Sequence, residues 1–373
     1  MAFVSSQRLV HGSAREVWTQ LGQWQAASSR PEPIVVETSG STGEPKRVLL
    51  SREAMRSSAS ATYARLGGPG QWLLALPPSY VAGVQVLFRS VLSGTEPVLL
   101  DEQEDLSVAV RAMAGPRRYT SLVPTQLTSM LASERDVAAL RTFDAILVGG
   151  AALEPRLRQD AERAGLGLVA TYGMSETCGG CVYDGVALDG VAVAVSTGGR
   201  VRVGGPVLFD GYDGQPELTA QVLQDGWFLT SDLGRLDDGL LQVLGRADDV
   251  VISGGVNVPT DAVAARVREH EDVRAVEVVG ITDSRWGQRV VAVVTTARAV
   301  DLAEIRDFVS DRLPRAWTPR ELVVVDELPL LRNGKVDRKA VEQMAVANQA
   351  RLDAERGAAQ RRTGRGSAED DDR

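Results

Sequence analysis

Histidine, cysteine, aromatic residues and positive charge are all in short supply in this sequence. Its 373 residues include two histidines, His11 and His270, and two cysteines, Cys178 and Cys181. A four-ligand zinc site is hard to assemble from that set. The Cys178–Cys181 CxxC pair reads as two reduced packing cysteines, with a redox pair as the alternative. Aromatics make up 5% of the chain, too few for a nucleic-acid stacking platform. Lys and Arg number 41 against 49 Asp and Glu, a formal net charge of −8. That balance argues against DNA, RNA or an anionic membrane as a partner, while leaving room for one small anion in a local pocket. No stretch approaches the ~18 uninterrupted apolar residues of a membrane-spanning helix. The richest candidate, "WLLALPPSYVAGVQVLF", is broken by Pro77 and Pro78. The first residues lack a basic region leading into an apolar core, so no signal peptide is expected and the expected compartment is the cytoplasm.

What is present is an ordinary globular composition, 44% hydrophobic and 24% charged. The length suggests two or three domains. From about residue 34 to 175, strands and helices alternate. "PIVVETSG", "QWLLALP", "EPVLLD", "YTSLVP", "FDAILVGGAAL" and "GLVATYG" read as strands. "SREAMRSSASATYARLG" reads as a helix capped by Ser51, and "VAGVQVLFRSVLSG" as one ending at Gly94. "DLSVAVRAMAG", "TQLTSMLAS" and "EPRLRQDAERAG" read as further helices. The alternation implies an α/β fold with a largely parallel sheet covered by helices. Beyond residue 180, short strands with Gly-Asp turns suggest an antiparallel β region. From about residue 250 a smaller α+β unit follows, and most of the tail beyond residue 345 is expected to be disordered.

"ETSGSTGEPKRVLLS" (Glu37–Ser51) reads as an anion-binding loop. Gly40 and Gly43 permit close backbone approach, and successive N–H groups can then face an anion. Thr38, Ser39, Ser41 and Thr42 add hydroxyls, and Lys46 adds charge. The Walker pattern needs Gly directly before Lys, and here Glu44 and Pro45 intervene, so a Walker-type kinase or ATPase is excluded. Alone, the loop is equally readable as a solvated turn.

It is followed in order by "YGMSET" (Tyr172–Thr177), "GWFLTSDLGRL" (Gly226–Leu236), "GRADDVVISGGVNV" (Gly245–Val258) and "LPLLRNGKVDRKAV" (Leu328–Val341). This ordered series resembles the adenylate-forming acyl-CoA ligases, a superfamily that includes peptide-synthetase adenylation domains and luciferases. The resemblance covers about residues 34–345. It implies a large ATP- and acid-binding domain over residues 1–246, a small mobile α+β domain over 247–345, and a tail from 346 to 373. Thr38, Ser39, Gly40, Ser41, Thr42, Gly43 and Lys46 would close over the β- and γ-phosphates of ATP. Gly149, Gly150 and Ala151 would line the adenine. Tyr172, followed by Gly173, would stack on the base. Thr177 would reach the α-phosphate and Glu176 would hold Mg²⁺. Asp232, supported by Arg246, would accept bonds from the ribose hydroxyls. Lys335 would be the mobile catalytic lysine and Asp248 the hinge. Ser253, Gly254 and Gly255 would line the coenzyme A channel.

The chemistry so implied is electrostatic. A carboxylate attacking an α-phosphate brings negative charge towards negative charge, so cations are needed where charge accumulates, and an ionised carboxylate needs no general base. Each residue also has a plainer local reading: Asp232 as a turn cap, Arg246 as half of a surface pair, Lys335 as a solvated lysine.

Only 37 residues precede Thr38. This short architecture, with "LPPSYVAGVQVLFRS" and "SLVPTQL", resembles the compact actinobacterial o-succinylbenzoate–CoA ligases of menaquinone biosynthesis. The resemblance implies that Arg89 faces a second substrate carboxylate, with Gly83 and Ser121 at the acid. Arginine is suited to that role because it binds carboxylates through two parallel bonds. The plainer reading has Arg89 pointing outward. Tyr80 replaces a histidine common in relatives, so no role carries over to it. Partners would be a small carboxylic acid, ATP and coenzyme A, and a homo-oligomer is compatible with the sequence. The competing readings are a coenzyme A ligase or carrier-loading enzyme for another aryl or aliphatic acid, and an inactive nucleotide-binding scaffold.

Overall fold

The structure, a computed structural model, describes residues 9–38, 45–247, 250–331, 334 and 336–351. The expected phosphate-loop residues Ser39, Gly40, Ser41, Thr42 and Gly43, together with Asp248, Lys335 and the tail from residue 352, lie outside the described residues. The chain divides into two compact units. The larger holds the described residues up to Thr230 with Gly234–Val243. The smaller holds Ser231–Leu233, Leu244–Leu331 and the helix over 338–351.

At the centre of the larger unit is a seven-stranded sheet. Its order is Val98–Leu99, Gln71–Leu74, Arg118–Leu122, Ala145–Val148, Leu168–Met174, Gly179–Tyr183, Val186–Ala187. The first five strands are parallel, and the last two pairings in the sheet are antiparallel. Successive side chains on a strand point to opposite faces. Accordingly Trp72 and Leu74 join one apolar cluster and Leu73 the other, and Leu147 and Ile146 divide the same way. Both faces are therefore covered, which is why these strands read as nearly continuous apolar runs.

The helices obey the expected signals. The Ser51 hydroxyl caps Arg52–Leu66 by accepting from the Ala54 N–H at 3.3 Å, and Gly94 ends Val81–Ser93 in the left-handed conformation at φ 68°. "EPVLLD" keeps only Val98–Leu99 as strand and then tightens into a 3-10 turn. Two short helices were not expected: Glu134–Leu140, capped by Ser133, and Pro216–Val222, with proline in its first turn.

The antiparallel region is built on Asp-Gly turns. Asp184-Gly185, Asp225-Gly226 and Asp238-Gly239 all have positive φ at both positions. That geometry matches the right-handed twist of the flanking strands, and Asp-Gly tolerates it best. The last of these joins Trp227–Asp237 to Leu240–Arg246, and this hairpin carries the chain towards the smaller unit. A separate three-stranded sheet sets Lys46–Leu50 between Ile34–Thr38 and the two-residue strand Gly211–Tyr212.

The smaller unit is a five-stranded sheet: Val256–Pro259, Val250–Ser253, Gly287–Thr296 and Val273–Asp283, with Glu321–Val324 pairing in parallel with Gly287–Thr296. Alternate residues again divide between two clusters, Val278 in one and Val279 in the other. The helices Thr260–Arg268 and Leu302–Ser310 contribute to the first, and Val341 and Ala345 of the 338–351 helix to the second. Among the described residues, no helix is long and apolar enough to cross a membrane.

Candidate active site

Parallel strands in an open sheet leave a crevice at their carboxyl ends. Here those ends carry Ser121, Gly149, Tyr172 and Glu176. Close packing explains three of the glycines. A Cβ on Gly149 would lie 2.3 Å from the Thr171 hydroxyl, one on Gly173 2.0 Å from the Gly179 carbonyl, and one on Gly83 2.1 Å from the Pro77 carbonyl. Gly150 takes φ 83°, and Ala151 beyond it is exposed.

After Met174 the chain makes a 3-10 turn, Ser175–Thr177, and reverses through Cys178 at φ 51°. Thr177 is fully buried, and its hydroxyl is engaged by its own turn. It accepts from the Met174 N–H at 2.9 Å and has the Gly179 carbonyl 2.8 Å away as an acceptor. The Ser175 hydroxyl, by contrast, bonds to none of the described residues. Glu176 is half-buried, and its Oε1 accepts from the Tyr212 hydroxyl at 2.7 Å. Its other carboxylate oxygen takes no bond from any described residue. A carboxylate fixed on one side and open on the other suits a hard divalent cation.

The two stems of the expected phosphate loop are described. Thr38 and Lys46 are register partners on antiparallel strands. Lys46 is half-buried, with its ammonium 5.4 Å from the Tyr212 ring centroid.

Arg89 is buried within the Val81–Ser93 helix at 3% exposure, which removes the outward-pointing reading. It donates to the Thr62 hydroxyl at 3.1 Å, and its guanidinium lies 5.0 Å from the Trp72 ring centroid. Its Nε has no hydrogen-bond partner, and among the described residues no carboxylate pairs with it. Thr62 also meets the Tyr183 hydroxyl at 3.0 Å. One turn earlier on the same helix, Gln85 donates to the Cys178 carbonyl at 2.7 Å, as does Ser58 at 3.0 Å. Arg89 is thus tied through buried polar groups to the strand that follows Glu176.

Asp232 and Arg246 meet across their hairpin at 3.5 Å, and the Arg246 N–H donates to Asp261. Ser253 is buried at a strand end, and Gly254-Gly255 form the exposed turn after it, both with positive φ. Cys178 and Cys181 are free thiols at 0% exposure. Burial pushes the Cys181 thiol up to about 12 and Cys178 further still. Both therefore stay protonated and act as packing residues.

Sequence reasoning missed Ser175, Gln85 and Tyr212. Two hydroxyls flank Glu176, and spacing alone cannot reveal that the one on Thr177 is engaged by its own turn. The only trace of Tyr212 was an aromatic residue after glycine in "VLFDGY".

The sequence profile of the AMP-binding enzymes matches residues 28–214, and that of the AMP-binding enzyme C-terminal domain matches 262–335. The probable 2-succinylbenzoate–CoA ligase of Mycobacterium tuberculosis is 45% identical over 319 residues, covering 83% of each chain. Indoleacetate–CoA ligase of Aromatoleum aromaticum is 33% identical, over 84% of this chain and 67% of that protein. Among solved structures, the o-succinylbenzoate CoA synthetase of Bacillus subtilis with its acyl-adenylate intermediate superposes with a TM-score of 0.70 at 28% identity, over 83% of this chain and 68% of that one. The same synthetase with ATP and magnesium ion gives a TM-score of 0.69 at 27% identity, over 82% and 69%. Fold, motif order and both profile matches agree: the chain belongs to the AMP-binding enzymes, the acyl-adenylate-forming ligase superfamily.

Proposed function

We propose that this chain uses ATP to activate 2-succinylbenzoate as its acyl-adenylate and then transfers the acyl group to coenzyme A, a step of menaquinone biosynthesis in the cytoplasm. One carboxylate oxygen of the acid attacks the α-phosphorus and pyrophosphate leaves. The thiolate of coenzyme A then attacks the acyl carbon and AMP leaves. The observation that carries the choice of acid is Arg89. Among the described residues, this buried guanidinium has an unpartnered Nε and no carboxylate opposite it, which leaves room for one anion. A diacid supplies that anion with the carboxylate it does not use in the reaction. An acid with a single carboxylate, such as indoleacetate, does not.

Magnesium, when bound, would neutralise charge building up on the phosphates. Glu176 would hold it through its open oxygen. In this reading the hydroxyl offered to the α-phosphate is that of Ser175, because Thr177 is engaged. Thr38, the loop residues through Gly43 and Lys46 would contain the β- and γ-phosphates. Gly149, Gly150, Ala151 and Tyr172 would hold the adenine, with Asp232 and Arg246 at the ribose. Gly83 and Ser121 would border the acid. Lys335 would place an ammonium at the reacting centre, and its exchange for the Ser253–Gly255 turn would pivot at Asp248.

The test is pyrophosphate release with ATP and Mg²⁺ across a panel of acids, followed by coenzyme A thioester formation. The expected result is release with 2-succinylbenzoate, loss of release in Lys335→Ala, and a coenzyme A thioester as product. Release with benzoate or indoleacetate but none with 2-succinylbenzoate would overturn the choice of acid. Transfer to a carrier protein alone would overturn the choice of thiol.

A further inference from the structure

We propose that Tyr212 is a positioning residue for adenylation, one side chain that sets both the carboxylate meant for magnesium and the ammonium meant for the leaving pyrophosphate. This rests on the reading of Glu176 and Lys46 given above. The phenol donates to Glu176 Oε1 at 2.7 Å, and the Lys46 ammonium lies 5.4 Å from the centroid of the same ring. Those two opposite charges come from distant segments, the strand after the phosphate loop and the turn after the Leu168–Met174 strand.

The geometry holds Tyr212 from several sides. Its backbone pairs with Val48 on the Lys46–Leu50 strand, and its N–H donates to the Thr219 hydroxyl at 2.9 Å. Its ring packs edge-on against Phe209 at 5.0 Å. The Phe209 N–H in turn donates to the Glu176 carbonyl at 2.9 Å, so backbone and side chain of Glu176 are tied to the same short segment. Next to Tyr212, Asp213 pairs with Arg47 at 3.1 Å, tying the segment to the phosphate-loop strand a second time. A tyrosine phenol carries its proton at neutral pH, and here it donates that proton to Glu176 Oε1. A donor on one oxygen holds the carboxylate in one orientation and leaves the other oxygen for the cation. Groups that orient a metal's ligands in this way are worth about 10–100-fold in metal affinity or activity.

The test is Tyr212→Phe, which keeps the ring beneath Lys46 and removes the donor. Two quantities are measured: acid-dependent pyrophosphate release over a range of Mg²⁺ concentrations, and Mn²⁺ binding by water-proton relaxation with α,β-methylene ATP. Half-saturating Mg²⁺ is expected to rise roughly ten-fold, with weaker Mn²⁺ binding to match. Excess Mg²⁺ should recover the rate, and KM for the acid should hold. Phe143→Leu, in the other apolar cluster, serves as the structural control, expected to lower the melting temperature while leaving the Mg²⁺ dependence in place. The inference is overturned if Tyr212→Phe matches wild type in both measurements. It is equally overturned if Phe143→Leu shifts the Mg²⁺ requirement as far as Tyr212→Phe does. Wild type that releases no pyrophosphate with any acid refutes the proposed function instead, and the Mn²⁺ measurement then still decides Tyr212.

Discussion

Two arginines, one in each unit, are buried to nearly the same degree and are treated in opposite ways. Arg266 in the smaller unit is 7% exposed and Arg89 in the larger 3%. Arg266 bonds the Phe308 carbonyl through two nitrogens, pairs with Glu269 at 2.6 Å, and lies 3.6 Å from the Phe308 ring centroid. Its charge and donors are answered by its own fold. Among the described residues, the Arg89 side chain has one hydrogen bond, to Thr62, and an Nε without a partner. A buried charge left uncompensated lowers stability, and removing it can be neutral or favourable. The difference separates an arginine answered by its own fold from one that, on the function proposed above, holds its donors for a ligand.

The comparison breaks most visibly at Arg89→Met. The kcat/KM for 2-succinylbenzoate should fall by roughly two to three orders of magnitude, as for a lost buried charge pair. The unfolding free energy from urea titration should hold or rise, by up to about 1 kcal/mol. A variant that loses stability and keeps activity would make Arg89 a structural residue. Arg266→Met should do the reverse. Stranding the Phe308 carbonyl and losing the charged bonds should cost about 1–3 kcal/mol, with activity per folded molecule unchanged.

A smaller effect sharpens the same distinction beside Glu176. Cys178→Ala with Cys181→Ala should cost about 1–2 kcal/mol in packing and leave turnover in place. In wild type, alkylation of these thiols should wait for unfolding. Their folded values are raised, so the stability they contribute is fully present below the unfolded thiol value, about 8.5. It declines as the pH climbs above that value, and for Cys181 it is gone by about 12. Urea midpoints of wild type and double variant compared from pH 7 to 10 should converge. A gap that stays constant would show that the thiols ionise alike in both states.

Much of this was legible from the chain. The strand–helix alternation, the Ser51 cap, the Gly94 stop and the Asp-Gly turns are local signals, and the structure follows them. What was hidden depends on contacts between distant segments. Gly211–Tyr212 is two residues long and has no periodicity to detect; it is a strand only because Val48 and Leu49 lie beside it. The Val81–Ser93 helix is buried continuously from Gly83 to Ser90, so no polar stripe indicates which way Arg89 points. The short helices Glu134–Leu140 and Pro216–Val222 span about two turns each, too few for a period to stand out.

The role proposed for Arg89 would also leave a mark on descent. If Arg89 holds the second carboxylate as proposed above, selection for the substrate maintains the part of its bonding capacity that Thr62 does not use. Lineages of this short architecture that turn to acids with one carboxylate should drift to leucine or methionine at this position without loss of fold. Substrate panels run across such relatives would read that drift directly, and an arginine kept in enzymes strict for single carboxylates would contradict it.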